Sequence, residues 1–217
     1  MIDREQIVSV VEKAKKDATQ RRFPQSIDLE VKLRGIDATK QDTSFTEVYP
    51  LPKGLGSKRK TVCILADGNS LPRARNSGAD RVMSRAELEA MAGDKKAIKK
   101  LARSYDFFVA DVTLMPVVGR VMGQVLGPRN KVPTPFPSNA EPSPIVARLN
   151  TSVRVKLKGQ PVIRCAIGSE EMSPQDVAEN VRGVLDLVAQ KVKGGAGSID
   201  KVSIKLTMGK PSSAKSK

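Results

Sequence analysis

Two segments near opposite ends of the 217-residue chain alternate strictly between apolar and polar residues. In residues 26–34, Ile27, Leu29, Val31 and Leu33 fall on one side. In residues 200–208, Val202, Ile204 and Leu206 fall on one side, and Lys201, Ser203, Lys205 and Thr207 on the other. A side-chain period of two belongs to a strand with one buried and one wet face, the habit of antiparallel sheets. If the two segments share a sheet, its wet face offers hydroxyls, carboxylates and amines. The two ends of the chain must then meet in one domain.

The middle of the chain follows a different pattern. Thr61 to Ala66 and Phe107 to Ala110 are continuous apolar runs, with a short strand expected at Arg81-Val82-Met83. Helices are expected over Leu71–Ser77, 85–92 and 94–104, and from Asp111 through Leu126; Ser84 and Glu87 form a capping box before the second. Strands that are apolar on both faces and alternate with helices predict a small parallel α/β sheet. Six prolines between Gly127 and Pro144 predict that no regular element crosses that stretch.

Flanking this middle, Asp3 opens a helix through Ala18, a polar irregular stretch runs from Arg34 to Thr43, and a strand covers Ser44 to Tyr49. Pro52 to Lys60 reads as a basic, flexible joint. Later, Ser152–Lys158 and Pro161–Ile167 read as a hairpin around Gly159, Ser173-Pro174 opens a helix with a valine-rich stripe, and Pro211 to Lys217 reads as a disordered basic tail. The fold class is therefore α/β with two domains. A discontinuous α+β domain, residues 1–60 and 150–217, carries an antiparallel sheet formed by both chain ends, and residues 61–149 form an inserted α/β domain.

With 38 basic and 23 acidic residues, net charge +15, the chain suits a polyanionic partner. Residues 62–149 hold 13 basic and 8 acidic side chains and the remainder 25 and 15, so charge does not single out one domain. No apolar run reaches the length of a membrane span, and the N-terminus has no signal-peptide core. Cys63 and Cys165 lie in apolar runs, as reduced buried thiols of a cytoplasmic protein would. The chain has no histidine, hence neither the commonest general base nor the commonest metal ligand. After Ala66 comes Asp67-Gly68-Asn69, which lacks the glycine spacing of a dinucleotide loop, and no cofactor or small-molecule substrate is expected. An enzyme is the weaker reading.

Asp67 and Asp111 stand at strand ends, where helix capping and turn formation explain them. Gly119, Gly123 and Gly127 recur every four residues, which suggests close packing of a helix on a sheet. Gly127-Pro128-Arg129-Asn130-Lys131 is a basic turn, either solvated or a second nucleic-acid contact. On the outer strands Asp28 and Glu30 need a reason, because carboxylates repel phosphate. They either accept hydrogen bonds from base amino groups or ribose 2′-hydroxyls, or only keep an exposed face soluble. The seven aromatic residues form no repeated stacking platform, so a folded RNA read by shape and a few edges fits better than unpaired bases. Phe23, after Arg21-Arg22, is either a surface for RNA or a core anchor.

Four stretches carry a resemblance: Phe23 to Leu29, Leu51 to Gly56, Leu126 to Pro133, and Leu206 to Gly209. In this order they resemble the universal large-subunit ribosomal protein L-one, in its archaeal type. The resemblance implies an RNA-binding domain built from both chain ends and an inserted Rossmann-like three-layer domain that swings on joints near residues 58–61 and 149–152. It implies a partner in the stalk of large-subunit ribosomal RNA, a place beside the exit path of deacylated tRNA, and repression of the protein's own messenger RNA. Off the ribosome a monomer is expected. The RNA contacts it implies are Arg22, Phe23, Ser26, Asp28 and Lys32, a region at Arg164, Gly168 and Ser169, and the turn Thr207, Met208 and Gly209. Ser169 stands where bacterial members commonly have lysine.

Overall fold

The computed structural model describes residues 3–19, 21–37 and 43–215. It separates into two compact units, residues 1–59 with 151–217, and residues 60–150. The polar stretch expected after Arg34 lies partly outside the described residues, at 38–42.

Numbered along the chain, the first unit contains α1 (Arg4–Lys16), β1 (Ser26–Leu33) and β2 (Phe45–Pro50), and from the later part β7 (Ser152–Leu157), β8 (Val162–Ser169), α7 (Pro174–Lys191), β9 (Ile199–Leu206) and β10 (Ser212–Lys215). The second holds β3 (Val62–Leu65), α2 (Ser70–Arg75), β4 (Arg81–Met83), α3 (Arg85–Ala90), α4 (Lys95–Ser104), β5 (Phe107–Asp111), α5 (Met115–Leu126), β6 (Thr134–Phe136) and α6 (Ser143–Asn150).

The two alternating segments are neighbours in one sheet of order β10-β9-β1-β8, with Ile27 opposite Leu206 and Val31 opposite Val202. Their apolar residues, Ile27, Leu29, Val31, Val202, Ile204 and Leu206, are essentially fully buried. They meet Ile7, Val11 and Ala14 of α1 and the valine stripe of α7, Val177, Val181, Val184 and Val188. Burying each such side chain is worth roughly 1.5–3 kcal/mol relative to leaving it in water. Ser173 caps α7 by accepting from the Asp176 N–H at 3.1 Å, and Pro174 takes the first helical position, where a missing N–H is harmless.

Three expectations for this unit change. The tail expected from Pro211 to Lys217 is not disordered as far as it is described, to Lys215: β10 pairs antiparallel with β9, with Ser212 opposite Ile204. The segments either side of Gly159 do not form an extended hairpin. Their pairing is limited to one bridge, Lys158 to Gln160; beyond it β7 pairs with β2 and β8 with β1. The basic joint is anchored in its first half: Leu51 and Leu55 are buried and the buried Asn180 of α7 clamps the turn. Asn180 accepts from the Lys53 N–H at 2.9 Å and donates to the Gly54 and Ile167 carbonyls at 2.8 and 2.9 Å.

The second unit is a parallel sheet, order β4-β3-β5-β6. Cys63, Leu65, Phe108 and Ala110 pack into one core with Leu88, Ile98, Leu101, Val118 and Met122 of α3, α4 and α5. Ile64 and Val109 alternate to the other face and are equally buried, which is why these strands read as unbroken apolar runs. The proline-rich stretch does contain regular structure. β6 pairs with β5, with Pro135 opposite Ala110, and an edge strand tolerates a residue without an N–H. Pro144 sits in the first turn of α6, where the helix needs no donor from it. The glycine repeat is not a packing surface either: a Cβ added at Gly119 or Gly123 would meet nothing within 4 Å.

Candidate nucleic-acid interface

Because β1 and β9 run antiparallel, the start of one and the finish of the other lie at the same end of the sheet. Ser26 and Thr207 are joined there twice: the Thr207 N–H and hydroxyl both donate to the Ser26 carbonyl, at 3.0 and 3.1 Å. The Ser26 hydroxyl accepts from Lys58 Nζ at 3.0 Å. One pleat further along, the half-buried Asp28 stands opposite Lys205. Burial pushes the Asp28 carboxyl above its ordinary range, against the pull of Lys205, the Thr207 hydroxyl and Lys58.

The turn beyond β9 is rigid. Gly209 donates to the Leu206 carbonyl at 2.8 Å, and the Met208 N–H donates to Oε1 of Gln25 at 3.2 Å. Gln25 is fully buried and also reaches the Thr19 carbonyl through Nε2 at 3.2 Å. Its own backbone is held by Glu170, whose Oε2 accepts from the Gln25 N–H at 3.2 Å and whose N–H donates to the Gln25 carbonyl at 2.9 Å. Lys15 in turn donates to the carbonyls of Glu170 and Met172. With the backbone fixed in this way, two large apolar side chains remain in water: Phe23 is 52% exposed and Met208 60%. Phe23 is therefore not a core anchor. Arg22 is exposed beside it.

Not every candidate from the sequence belongs to this cluster. Lys32 is on the same wet face as Ser26 but six residues along the strand, about 20 Å away, where it lies 3.9 Å from Asp200. Arg164 is exposed mid-strand, opposite Glu30, and the two form an ion pair at 2.7 Å. Glu30 thus has a basic partner across the strand. Gly168 and Ser169 reach the right end of the sheet but not its surface. A Cβ at Gly168 would stand 2.9 Å from the Met172 sulfur, so this glycine leaves room for packing. Ser169 is fully buried, opposite Ser26 and against Gly56. Its side chain offers nothing to an external partner.

Lys58, Lys205 and Gln25 were missed as site residues. The period-two pattern put Lys205 on the wet face, but only the register places it opposite Asp28. Gln25 has no pattern of its own and is identified by its hydrogen bonds. The wet face beyond the cluster is a shallow depression of about 810 Å³, lined among others by Asp28, Glu30, Arg164, Ser203 and Lys205. Cys165 also borders it and is only partly covered, unlike the fully buried Cys63.

In the basic turn of the second unit, Lys131 is committed internally. Lys131 donates to the Ala102 and Tyr105 carbonyls at 2.9 and 2.6 Å, closing the C-terminus of α4. Asn130 takes the left-handed conformation, φ 53°, that its type tolerates. Asp111 is buried and saturated: it accepts from Ser70, Ser138 and the Thr113 hydroxyl and N–H at 2.7–3.0 Å. Among the described residues, no group of three or more His, Cys, Asp or Glu side chains is arranged to hold a metal, and no helix is long and apolar enough to cross a membrane.

The profile of the ribosomal protein L1p/L10e family matches residues 12–210. The chain belongs to that family. Large ribosomal subunit protein uL1 of Methanothermobacter thermautotrophicus is 40% identical over 205 residues, 94% of this chain and 96% of the relative. The uL1 of Pyrococcus abyssi is 42% identical over 210 residues, 95% and 94% of the two chains, and that of Archaeoglobus fulgidus 38% over 209, 96% and 97%. Membership makes the chain an archaeal-type L1p/L10e protein, a structural constituent of the large subunit in the cytoplasmic ribosome and not an enzyme.

Proposed function

We propose that the protein binds the stalk RNA of the large ribosomal subunit through the end of its four-stranded sheet. The discontinuous domain, residues 1–60 with 150–217, is the RNA-binding one, and residues 61–149 are carried by it. The observation that carries the reading is the pair of exposed apolar side chains, Phe23 and Met208, on the two segments that the Gln25–Met208 and Ser26–Thr207 hydrogen bonds join. Met208 is flexible and polarizable enough to lie along a base or sugar, and Phe23 supplies a ring to stack on. Asp28 and the hydroxyls of Ser26 and Thr207 accept from or donate to 2′-hydroxyls, a distinction between RNA and DNA that phosphate contacts cannot make. Lys58, Lys205 and Arg22 hold the backbone. Gly209, Gly168 and Ser169 contribute through the backbone they shape, and Lys32 and Arg164 extend the electrostatic footprint along the sheet.

From the stalk, the protein stands beside the path of departing deacylated tRNA. A site that reads RNA shape accepts the same shape in the chain's own messenger, so excess free protein represses its own synthesis. Titrating the protein against the stalk RNA and an equally long plain duplex across a salt series tests the reading. A preference that persists as salt rises is expected; equal affinity for both would make the protein a basic coat indifferent to fold. Thr207→Val and Met208→Ala should each weaken stalk binding roughly fivefold, with the duplex unchanged, given ~1 kcal/mol for a lost hydrogen bond in the first and for a lost sulfur contact with a ring in the second. Unchanged stalk affinity would remove both residues from the contact.

A further inference from the structure

We infer that the second unit carries its own nucleic-acid surface, the outer face of α4, built to lie along the phosphate backbone of a duplex without reading its sequence. At about 100° per residue, Lys96, Lys99, Lys100 and Arg103 fall within one arc of roughly 100°, while Ile98, Leu101 and Ala102 point the other way and are buried. All four cations are exposed, and together they line a shallow depression of about 400 Å³. Among the described residues none has a carboxylate partner. Elsewhere in the same unit such partners are the habit: Arg85 pairs with Glu89, Arg81 with Glu87 and Lys60 with Asp106.

This arrangement works against the helix that bears it. Lys96 with Lys100 and Lys99 with Arg103 are like charges at i,i+4, and Lys96 with Lys99 and Lys100 with Arg103 at i,i+3; such pairs repel. Lys95 and Lys96 also occupy the first turn, where the helix dipole disfavours cations, with Asp94 as the lone acidic cap. A polyanion removes both penalties when it binds.

The geometry suits a phosphate backbone. The row from Lys96 to Arg103 rises about 10 Å, and a double helix presents roughly one phosphate charge per 1.7 Å of axis. A membrane surface fits less well, since a helix lying on lipid needs apolar side chains beside its cations and those of α4 are in the core. A protein partner would want an aromatic or apolar anchor, and the face has none.

The test uses the full chain and a duplex RNA of about 30 base pairs unrelated to ribosomal sequence, titrated across salt. Replacing Lys96, Lys99, Lys100 and Arg103 by Gln keeps helix propensity. It should lower duplex affinity about tenfold or more at ~0.1 M salt and flatten the slope of log affinity against log salt by roughly 2–3. Its thermal midpoint should rise, as repulsion is relieved. A control of equal charge change, Lys13, Lys16, Lys158 and Lys193 to Gln, should lose much less. No loss in the α4 variant, or an equal loss in the control, overturns the proposal. So does loss of binding to phosphatidylglycerol vesicles with duplex binding intact. If the fourfold variant does not fold, Lys99→Gln with Lys100→Gln decides by the same readouts. Met208→Ala separates this surface from the strand-end site: it should leave duplex binding alone while stalk preference falls, so each reading can fail by itself.

Discussion

Asp28 and Asp111 are both aspartates on sheet strands, the one inside β1 and the other closing β5, yet the two units treat them in opposite ways. Asp111 ends a strand buried on both faces. Its burial alone would raise its pKa, but the hydrogen bonds from Ser138, Thr113 and Ser70 outweigh that and hold it below the ordinary carboxylate range. Asp28 lies on a half-wet sheet, and there burial wins over two lysines and a hydroxyl, so its pKa is raised. A carboxylate whose lone pairs are already taken is part of the fold. One kept partly dehydrated, with acceptor capacity to spare, is available to a partner. Both carboxylates are carried by strands; satisfaction makes the difference.

The largest effect should come from breaking the satisfied side of this comparison. Asp111→Ala leaves the Ser138 and Thr113 hydroxyls and the Thr113 N–H without this acceptor, while Ser70 keeps the Asp67 carbonyl, and should destabilise the second unit by about 3–5 kcal/mol, given ~1.5–3 kcal/mol for each hydrogen bond to a charged group. Chemical denaturation measures it. Because the folded pKa is lowered, the stabilisation is fully present above the ordinary Asp value near 3.9 and is lost as pH falls through the folded value. The gap between wild type and variant should therefore close in acid, while stalk-RNA preference at neutral pH, where the first unit is intact, should be unaffected. A variant as stable as wild type would mean the four contacts contribute nothing.

How much of this was legible beforehand follows the same division. β1 and β9 were readable because one buried face enforces a strict period, and β3 and β5 because two buried faces enforce unbroken apolar runs. β6, α6 and β10 were not. Their prolines and serines carry breaker signals locally, and only an edge position or a first turn makes Pro135 and Pro144 acceptable. The same limit applies to the candidate site. Phe23, Ser26, Asp28, Thr207 and Met208 are proposed from motif and alternation. Gln25, Lys58 and the register of Lys205 depend on contacts between residues far apart in sequence, and so does the burial of the Ser169 side chain against Gly56.

Asp28→Asn breaks the unsatisfied side and should act in the reverse sense. Removing a charge that burial disfavours should raise the thermal midpoint of the free protein slightly at neutral pH, by about 2 °C or less. A raised folded pKa gives stability that is present below the unfolded value and lost as pH rises through the folded one. The advantage of the Asn variant should therefore vanish below about pH 4 and grow above it. Stalk-RNA affinity should fall in the same variant, since Asn retains one acceptor oxygen but loses the charge. A variant that binds RNA as well as wild type while melting higher would make Asp28 a merely tolerated surface charge.

The two cysteines give the smallest effect and the finest test of how far the half-wet sheet is sealed. Burial pushes both thiols up to about 12, and at Cys165 the neighbouring Asp28 charge adds to it. At pH 8 almost no thiolate forms at either position, so a disulfide reagent should react far more slowly than with a free thiol of ordinary pKa near 8.5. Cys63 sits between two covered faces and should wait on unfolding of its unit. Cys165 is partly covered on the wet sheet and should react first. Asp28→Asn should speed that reaction, because one of the causes raising the Cys165 pKa is gone, while leaving Cys63 unchanged. Equal rates at both thiols, or no change at Cys165 in the variant, would show that the carboxylate and the thiol do not sense one another across β1 and β8.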